Sequence, residues 1–245
     1  MPWRSMAVLA ASLFLLTVLI RAPASWALKL APPGVDCSLP SGSLWHGSCA
    51  RLRAAGVELQ EVGWTAHAWP LLRGHFDVEV SSADARAPGR VRLSIGLGGH
   101  LELRDLQAQL PVGTEFLPLF PTTWKGKLRL DLRQVEFEQH RLQALIGTVT
   151  ALDLEQRSPP IAFGSYELNF GPVKPGDDAI VGNLRDVGGP LAVTGTLRLR
   201  NGSEYELNGR VAARPTASAE LTKTVEFLGA SDAQGRREFS LTGTL

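Results

Sequence analysis

The chain has 245 residues, 44% hydrophobic and 20% charged, which is enough apolar surface for a real core in one domain or at most two small ones and too much for a disordered chain. Its 25 Lys and Arg against 24 Asp and Glu leave a net charge of +1 with no long like-charge run. No field of either sign is present to draw in nucleic acid, which is excluded as a partner.

The first element is a membrane-targeting segment. Arg4 is followed by "SMAVLAASLFLLTVLI", an uncharged run of 16 residues, then by Arg21 and "APASWALKLAPPG". That run is shorter than the roughly 20 residues that span a hydrocarbon core and long for a signal-peptide apolar region. Small residues at Ala22, Ala24, Ser25 and Ala27 offer cleavage sites. Arg21 directly after the run is unusual in a signal peptide, whereas Arg4 and Arg21 snorkel readily from the ends of a transmembrane helix. The expectation is a cytoplasmic N-terminus over residues 1–4, an anchor (or signal peptide) over 5–27 and a non-cytoplasmic domain over 28–245.

Next comes "DCSLPSGSLWHGSCARL", residues 36–52, which holds both cysteines of the chain, 12 positions apart and flanked by turn residues. In an oxidising compartment Cys37 and Cys49 are expected to form a disulfide, and so short a ring removes unfolded-state entropy worth roughly 3 kcal/mol. Two separate buried thiols are the alternative. Metal binding is the poorer rival, because His46 alone does not complete a four-ligand site. The segment reads as a collar that ties the chain leaving the membrane to the first strand.

From Ser48 onward the period is two. In "GKLRLDLRQ", Leu128, Leu130 and Leu132 alternate with Lys127, Arg129, Asp131 and Arg133, giving one greasy and one wet face. The pattern recurs at Phe76, Val78 and Val80, at Val91, Leu93 and Ile95, at Leu101 and Leu103, at Leu197 and Leu199, and in the closing "EFSLTGTL". About ten such strands separated by Gly, Asn, Asp and Pro turns predict a mainly β fold: an antiparallel meander, curled or folded into a sandwich. The Pro-rich stretch 111–121 reads as a link between two groups of strands. "GLGGH" at 96–100 reads as a hairpin turn, as does "NGS" at 201–203. A short helix is expected over residues 216–228, with Leu221, Val225 and Leu228 on one side, Ser218 as N-cap and Gly229 as the stop.

A search for chemistry finds none. His46, His67, His75, His100 and His140 are scattered with no metal-ligand spacing, no Gly-x-Ser-x-Gly elbow occurs, and Asp177 and Asp178 sit in a polar turn. No catalytic residue, metal site or cofactor is expected, so the chain reads as a non-enzyme whose work is contact or carriage.

The stretch "SGSLWHGSCARLRAAGVELQEVGWTAHAWPLLRGHFDVEV" resembles the protein N family of bacterial type II secretion systems. The resemblance is carried by Gly42, Trp45 and Gly47 in a Gly-x-x-Trp-x-Gly element, then by Trp64 ahead of "PLLRG", which ends at Gly74. It returns in "FLGASDAQGRREFSLTGTL" through Gly229, Asp232, Gly235, Arg236 and Gly243. The cysteine pair departs from the family pattern, and residues 112–188 match in texture alone. What the resemblance implies is an accessory subunit of an inner-membrane secretion assembly, single-pass, with its domain in the periplasm, neighbours among the other inner-membrane subunits and no catalytic residue. The rival comes from texture: a long sheet with one apolar face beside a membrane also resembles the AsmA-like lipid carriers, in which such a face forms a groove for acyl chains. In an ordinary core the same face is filled by an opposing sheet and the helix. If the cysteine expectation holds, a thiol reagent applied under denaturing, non-reducing conditions modifies neither Cys37 nor Cys49, and modifies both after reduction.

Overall fold

The structure is a computed structural model. It describes residues 34–244 except 55–56, 97, 113–122, 140, 174–178 and 201–203, together with 6, 9–10, 13–14, 17–18 and 21–26 ahead of them.

The alternating sequence folds into a single sheet of thirteen antiparallel strands whose spatial order is the order of the chain. These are β1 (Val35–Gly42), β2 (His46–Ala54), β3 (Val57–His67), β4 (His75–Ser82), β5 (Gly89–Gly96), β6 (His100–Pro111), β7 (Trp124–Glu138), β8 (Arg141–Arg157), β9 (Pro160–Phe170), β10 (Ala179–Asp186), β11 (Leu191–Arg200), β12 (Glu204–Ala213) and β13 (Arg237–Thr244). A 3₁₀ turn, Trp69–Arg73, joins β3 to β4, and the helix α1 (Ala219–Glu226) lies between β12 and β13.

Several expectations change here. The strands number thirteen rather than about ten, and among the described residues no second sheet exists to make a sandwich. The stretch 112–123 joins β6 and β7, which pair directly from Pro111↔Lys127 to His100↔Glu138, so it links neighbours and not two groups of strands. Residues taken as a collar are themselves the first hairpin, since β1 pairs with β2 from Val35↔Ala54 to Gly42↔Gly47. The Ser-Pro-Ser-Gly content of this stretch hides its period-two signal. The helix starts where expected, with the Ser218 Oγ accepting the Leu221 N–H, but ends at Glu226 with Phe227 as its cap, before Gly229. The turn at 96–100 does join β5 to β6, while 201–203, Asp177, Asp178 and His140 lie outside the described residues. So do residues 5, 7–8, 11–12, 15–16, 19–20 and 27 of the expected anchor. Described residues from Met6 to Val18 are helical, and among the described residues no helix is long and apolar enough to cross a membrane.

Register explains how one layer organises its core. Directly paired residues share a face, and one row runs across nearly the whole sheet: Trp64↔Val80, Val80↔Val91, then Leu93↔Leu103, Leu103↔Val135 and Val135↔Leu145. It continues through Gly147↔Phe170, Phe170↔Gly182, Gly182↔Leu197, Leu197↔Leu207 and Leu207↔Leu241. Where a ring stands on this face, the residue opposite is often glycine: Gly47 beside Trp64, Gly182 beside Phe170, Gly209 beside Phe239, Gly243 beside Tyr205. A β-carbon on Gly182 would lie 2.5 Å from the Phe170 ring, and one on Gly209 2.6 Å from that of Phe239. The rings therefore lie flat over the neighbouring strand, removing apolar area from water within a single layer.

Coverage is uneven. From β7 to β12 three buried clusters form, and α1 closes one by packing Leu221 and Val225 on Leu191, Val193 and Val211. From β4 to β6 no helix or second sheet covers the face among the described residues, and Phe76, Val78, Val80, Val91, Leu93, Leu101 and Leu103 are all half-buried. The opposite face carries cross-strand ion pairs such as Glu79–Arg92–Asp105 and Glu167–Arg185. Irregular residues with positive φ inside strands, Glu61, Asp105 and Asp153, bend the ladder locally. Replacing Gly182 with valine should drive its side chain into the Phe170 ring and cost about 1–3 kcal/mol, read as a lower urea midpoint with an unchanged slope.

Candidate functional site

A meander has two rims. On the first stand the β1–β2 turn, the 3₁₀ turn 69–73, the 97–99 turn and the start of β12, whereas α1 and the turns at 83–88 and 187–190 stand on the other. The described histidines, His46, His67, His75 and His100, all fall on the first rim, although no group of three metal-ligating side chains forms among the described residues.

The N-terminal segment reaches this first rim. Pro23 bridges to Ser43, and the Leu44 N–H donates to the Ala22 carbonyl at 2.8 Å, with Ala22 and Ala24 both buried. The structure places Gly42, Trp45, Gly47 and Trp64 together at the same spot. Gly42 ends β1 with φ +86°, a conformation that favours glycine, and Gly47 lies beneath the Trp64 ring. The Trp64 indole N–H donates to the Leu44 carbonyl at 3.1 Å, and the Ala66 N–H to the Trp45 carbonyl at 2.7 Å. Gly74 closes the following 3₁₀ turn in the left-handed conformation, its N–H donating to the Leu71 carbonyl.

Cys37 and Cys49 form a disulfide with their α-carbons 5.8 Å apart. It joins β1 to β2 and so staples the first hairpin. The chain arriving from the N-terminal segment is tied instead by the Ala22 and Pro23 contacts, which corrects the collar expectation.

At the other end, Gly229, Asp232, Gly235 and Arg236 build one turn leading into β13. The Asp232 carboxylate accepts the backbone N–H of Arg236 at 2.8 Å and of Gln234 at 2.9 Å, and the Arg236 guanidinium at 3.0 Å. The Arg236 N–H and its neighbours hold the Asp232 carboxyl below the usual carboxylate range. Arg237 donates to the Gly229 carbonyl, and Gly243 lies under the Tyr205 ring within β13. This group and the first motif group are therefore not brought together: they occupy opposite ends of the sheet and secure its two edges.

Polar groups that the sequence does not single out also lock turns. Asp84 accepts from the Gln60 and Arg86 backbone N–H groups, and the Arg86 side chain holds its carboxyl below the usual range. Burial opposes ionisation of Asp186, yet the Arg214 guanidinium and the Val193 N–H keep its pKa lowered. Burial, and after it the charge of Asp186, pushes the Tyr166 hydroxyl up to about 12, and that hydroxyl donates to the Phe163 carbonyl at 2.6 Å. Each is a carboxylate or hydroxyl tying neighbouring turns, and the Asp-x-Arg spacing at 84–86 was the available signal. A hollow of about 720 Å³ is lined by Ser41, Ser48, Gly63, Arg90, Arg92 and Asp105 among others, with Arg90 bonded to Gln107 and Arg92 paired to Glu79 and Asp105. His46 also lines this hollow, and the Ser41 and Ser48 hydroxyls hydrogen-bond each other at 2.7 Å beside it.

The family described as "Type II secretion system (T2SS), protein N" matches residues 33–240 of the chain. The chain is similar to the type II secretion system protein N of Aeromonas hydrophila, 27% identical over 243 residues that cover 94% of this chain and 95% of the relative. It is also similar to the protein of the same name from Vibrio cholerae serotype O1, 24% identical over 250 residues with 97% of each chain covered. No solved structure matches.

Because the folded pKa of Asp186 is depressed, its stabilising contribution is present above the ordinary carboxyl pKa of about 4 and is lost as pH falls through the lower folded value. Replacing Asp186 with asparagine should lower the thermal midpoint at neutral pH and flatten its decline on acidification, measured by circular dichroism across the acidic range.

Proposed function

We infer the role of this chain from its family: it belongs to the type II secretion system protein N family. On that premise it is an accessory, non-catalytic subunit of a type II secretion assembly, acting through contacts with other inner-membrane subunits. Residues 5–27 hold it in the inner membrane as a single-pass anchor, and residues 28–245 lie in the periplasm. The observation that carries this reading is the family match across 33–240. The disulfide suits an oxidising compartment.

A second reading has its own support. Among the described residues the half-buried apolar face of β4–β6 has no second sheet or helix over it, and an open face of that kind suits acyl chains, as in AsmA-like lipid carriage. Both readings meet in one experiment. The tagged full-length protein, purified from gently solubilised native membranes, should bring down inner-membrane secretion subunits identified by mass spectrometry against a tag-only control. Stoichiometric phospholipid without those subunits would shift the assignment to lipid carriage.

A further inference from the structure

The 3₁₀ turn Trp69–Arg73 is an anomaly in a protein short of apolar cover. None of its five residues is buried: Trp69 is 72% exposed, Leu72 76% and Leu71 44%. A tryptophan and two leucines are held out to solvent on a turn that is fixed at both ends, by Pro70 at its start and by the left-handed Gly74 at its close. A rigid turn loses little conformational entropy when its side chains enter another phase.

Its location says which phase. The uncharged N-terminal run ends at Ile20, and Pro23, three residues on, already bridges to Ser43 on the first rim. Three extended residues span about 10 Å, so this rim lies within that distance of the end of the apolar run. From Ser43 the path to the exposed turn is short and hydrogen-bonded: Trp45 accepts from Ala66, and Trp69 follows three residues later. Trp26, beside Pro23, is likewise 47% exposed. Two exposed tryptophans, two leucines and Arg73 thus share the rim where the chain arrives. Tryptophan favours the boundary between headgroups and acyl chains, and arginine extends its stem there while its charge reaches the phosphates.

We propose that residues 69–73 are a second membrane contact, with Trp69, Leu71 and Leu72 seated in the headgroup boundary of the bilayer that holds the N-terminal segment and Arg73 at the phosphate level. The sheet then stands on the membrane by its first rim, with strands rising from the surface and α1 on the far side. The inference rests on the reading of residues 5–27 as an anchor. An internal control exists, because Phe227 is 89% exposed on the opposite rim, and β12 with its ten residues sets the two rims roughly 30 Å apart. One flat bilayer does not reach both.

The test uses the full-length chain reconstituted into vesicles of phosphatidylethanolamine and phosphatidylglycerol, carrying Leu72→Cys or Phe227→Cys. Both sites are exposed, so neither substitution threatens the fold, and the native cysteines are shielded from a thiol-reactive fluorophore by their disulfide. The expected result is blue-shifted emission at position 72 that is quenched by headgroup-proximal nitroxide lipid and not by aqueous iodide, with the reverse at position 227. Iodide quenching at both positions in vesicles that carry the protein on flotation overturns the second contact and leaves the anchor standing. A label at position 72 shielded from both quenchers also overturns it, since protein then covers the turn. A chain that fails to float with the vesicles overturns the anchor reading and this proposal with it.

Discussion

Among the described residues no second sheet faces this one, so apart from the cover given by α1 it has to hide its apolar face with its own side chains, and the rest of this structure follows from that constraint. Cross-strand pairing of a ring with a glycine is the local solution. Phe170 against Gly182, Phe239 against Gly209, Tyr205 against Gly243 and Trp64 against Gly47 each lay an aromatic surface on bare backbone. The burial a sandwich obtains from a facing sheet is here obtained from the strand next door. A strand glycine is ordinarily a weak point, and in this chain it is the seat for a ring.

That solution is local, and it leaves the apolar face unevenly buried. In the second half, α1 and the bulky residues of β7–β12 complete three buried clusters. In the first half, β4–β6 have branched and aliphatic residues on the row with no glycine-ring pairs among them, and these stay half-exposed. On the opposite face ion pairs such as Glu79–Arg92, Glu167–Arg185 and Arg210–Glu238 cross between strands, and exposed pairs of this kind contribute little stability individually while keeping that face wetted.

Polarity along the strands is as informative as polarity across the sheet. A meander sends alternate turns to opposite rims, and the first rim collects the N-terminal segment, the Gly42–Trp45–Gly47–Trp64 cluster, the 69–73 turn and the described histidines. The second collects α1 and the carboxylate-locked turns around Asp84 and Asp186. The disulfide stiffens the hairpin beside the first rim.

Much of this was legible in the chain itself. Period-two alternation determined an antiparallel β protein in chain order, since each apolar-polar repeat ends in a turn residue; Ser218 determined where α1 begins, and the cysteine spacing determined the staple. The first hairpin was hidden because the serines, Pro40 and Gly42 of β1 carry no apolar alternation, and β1 forms through its backbone pairing with β2. Tertiary structure alone decided that the layer has no partner sheet, because alternation reports one apolar face and is silent on what covers it. It alone decided that Trp64 lies on Gly47, that histidines far apart in sequence share a rim, and that Trp69 points to solvent. These depend on register and on which turns fall at the same end, and a register is fixed by pairing between strands, which no single strand encodes.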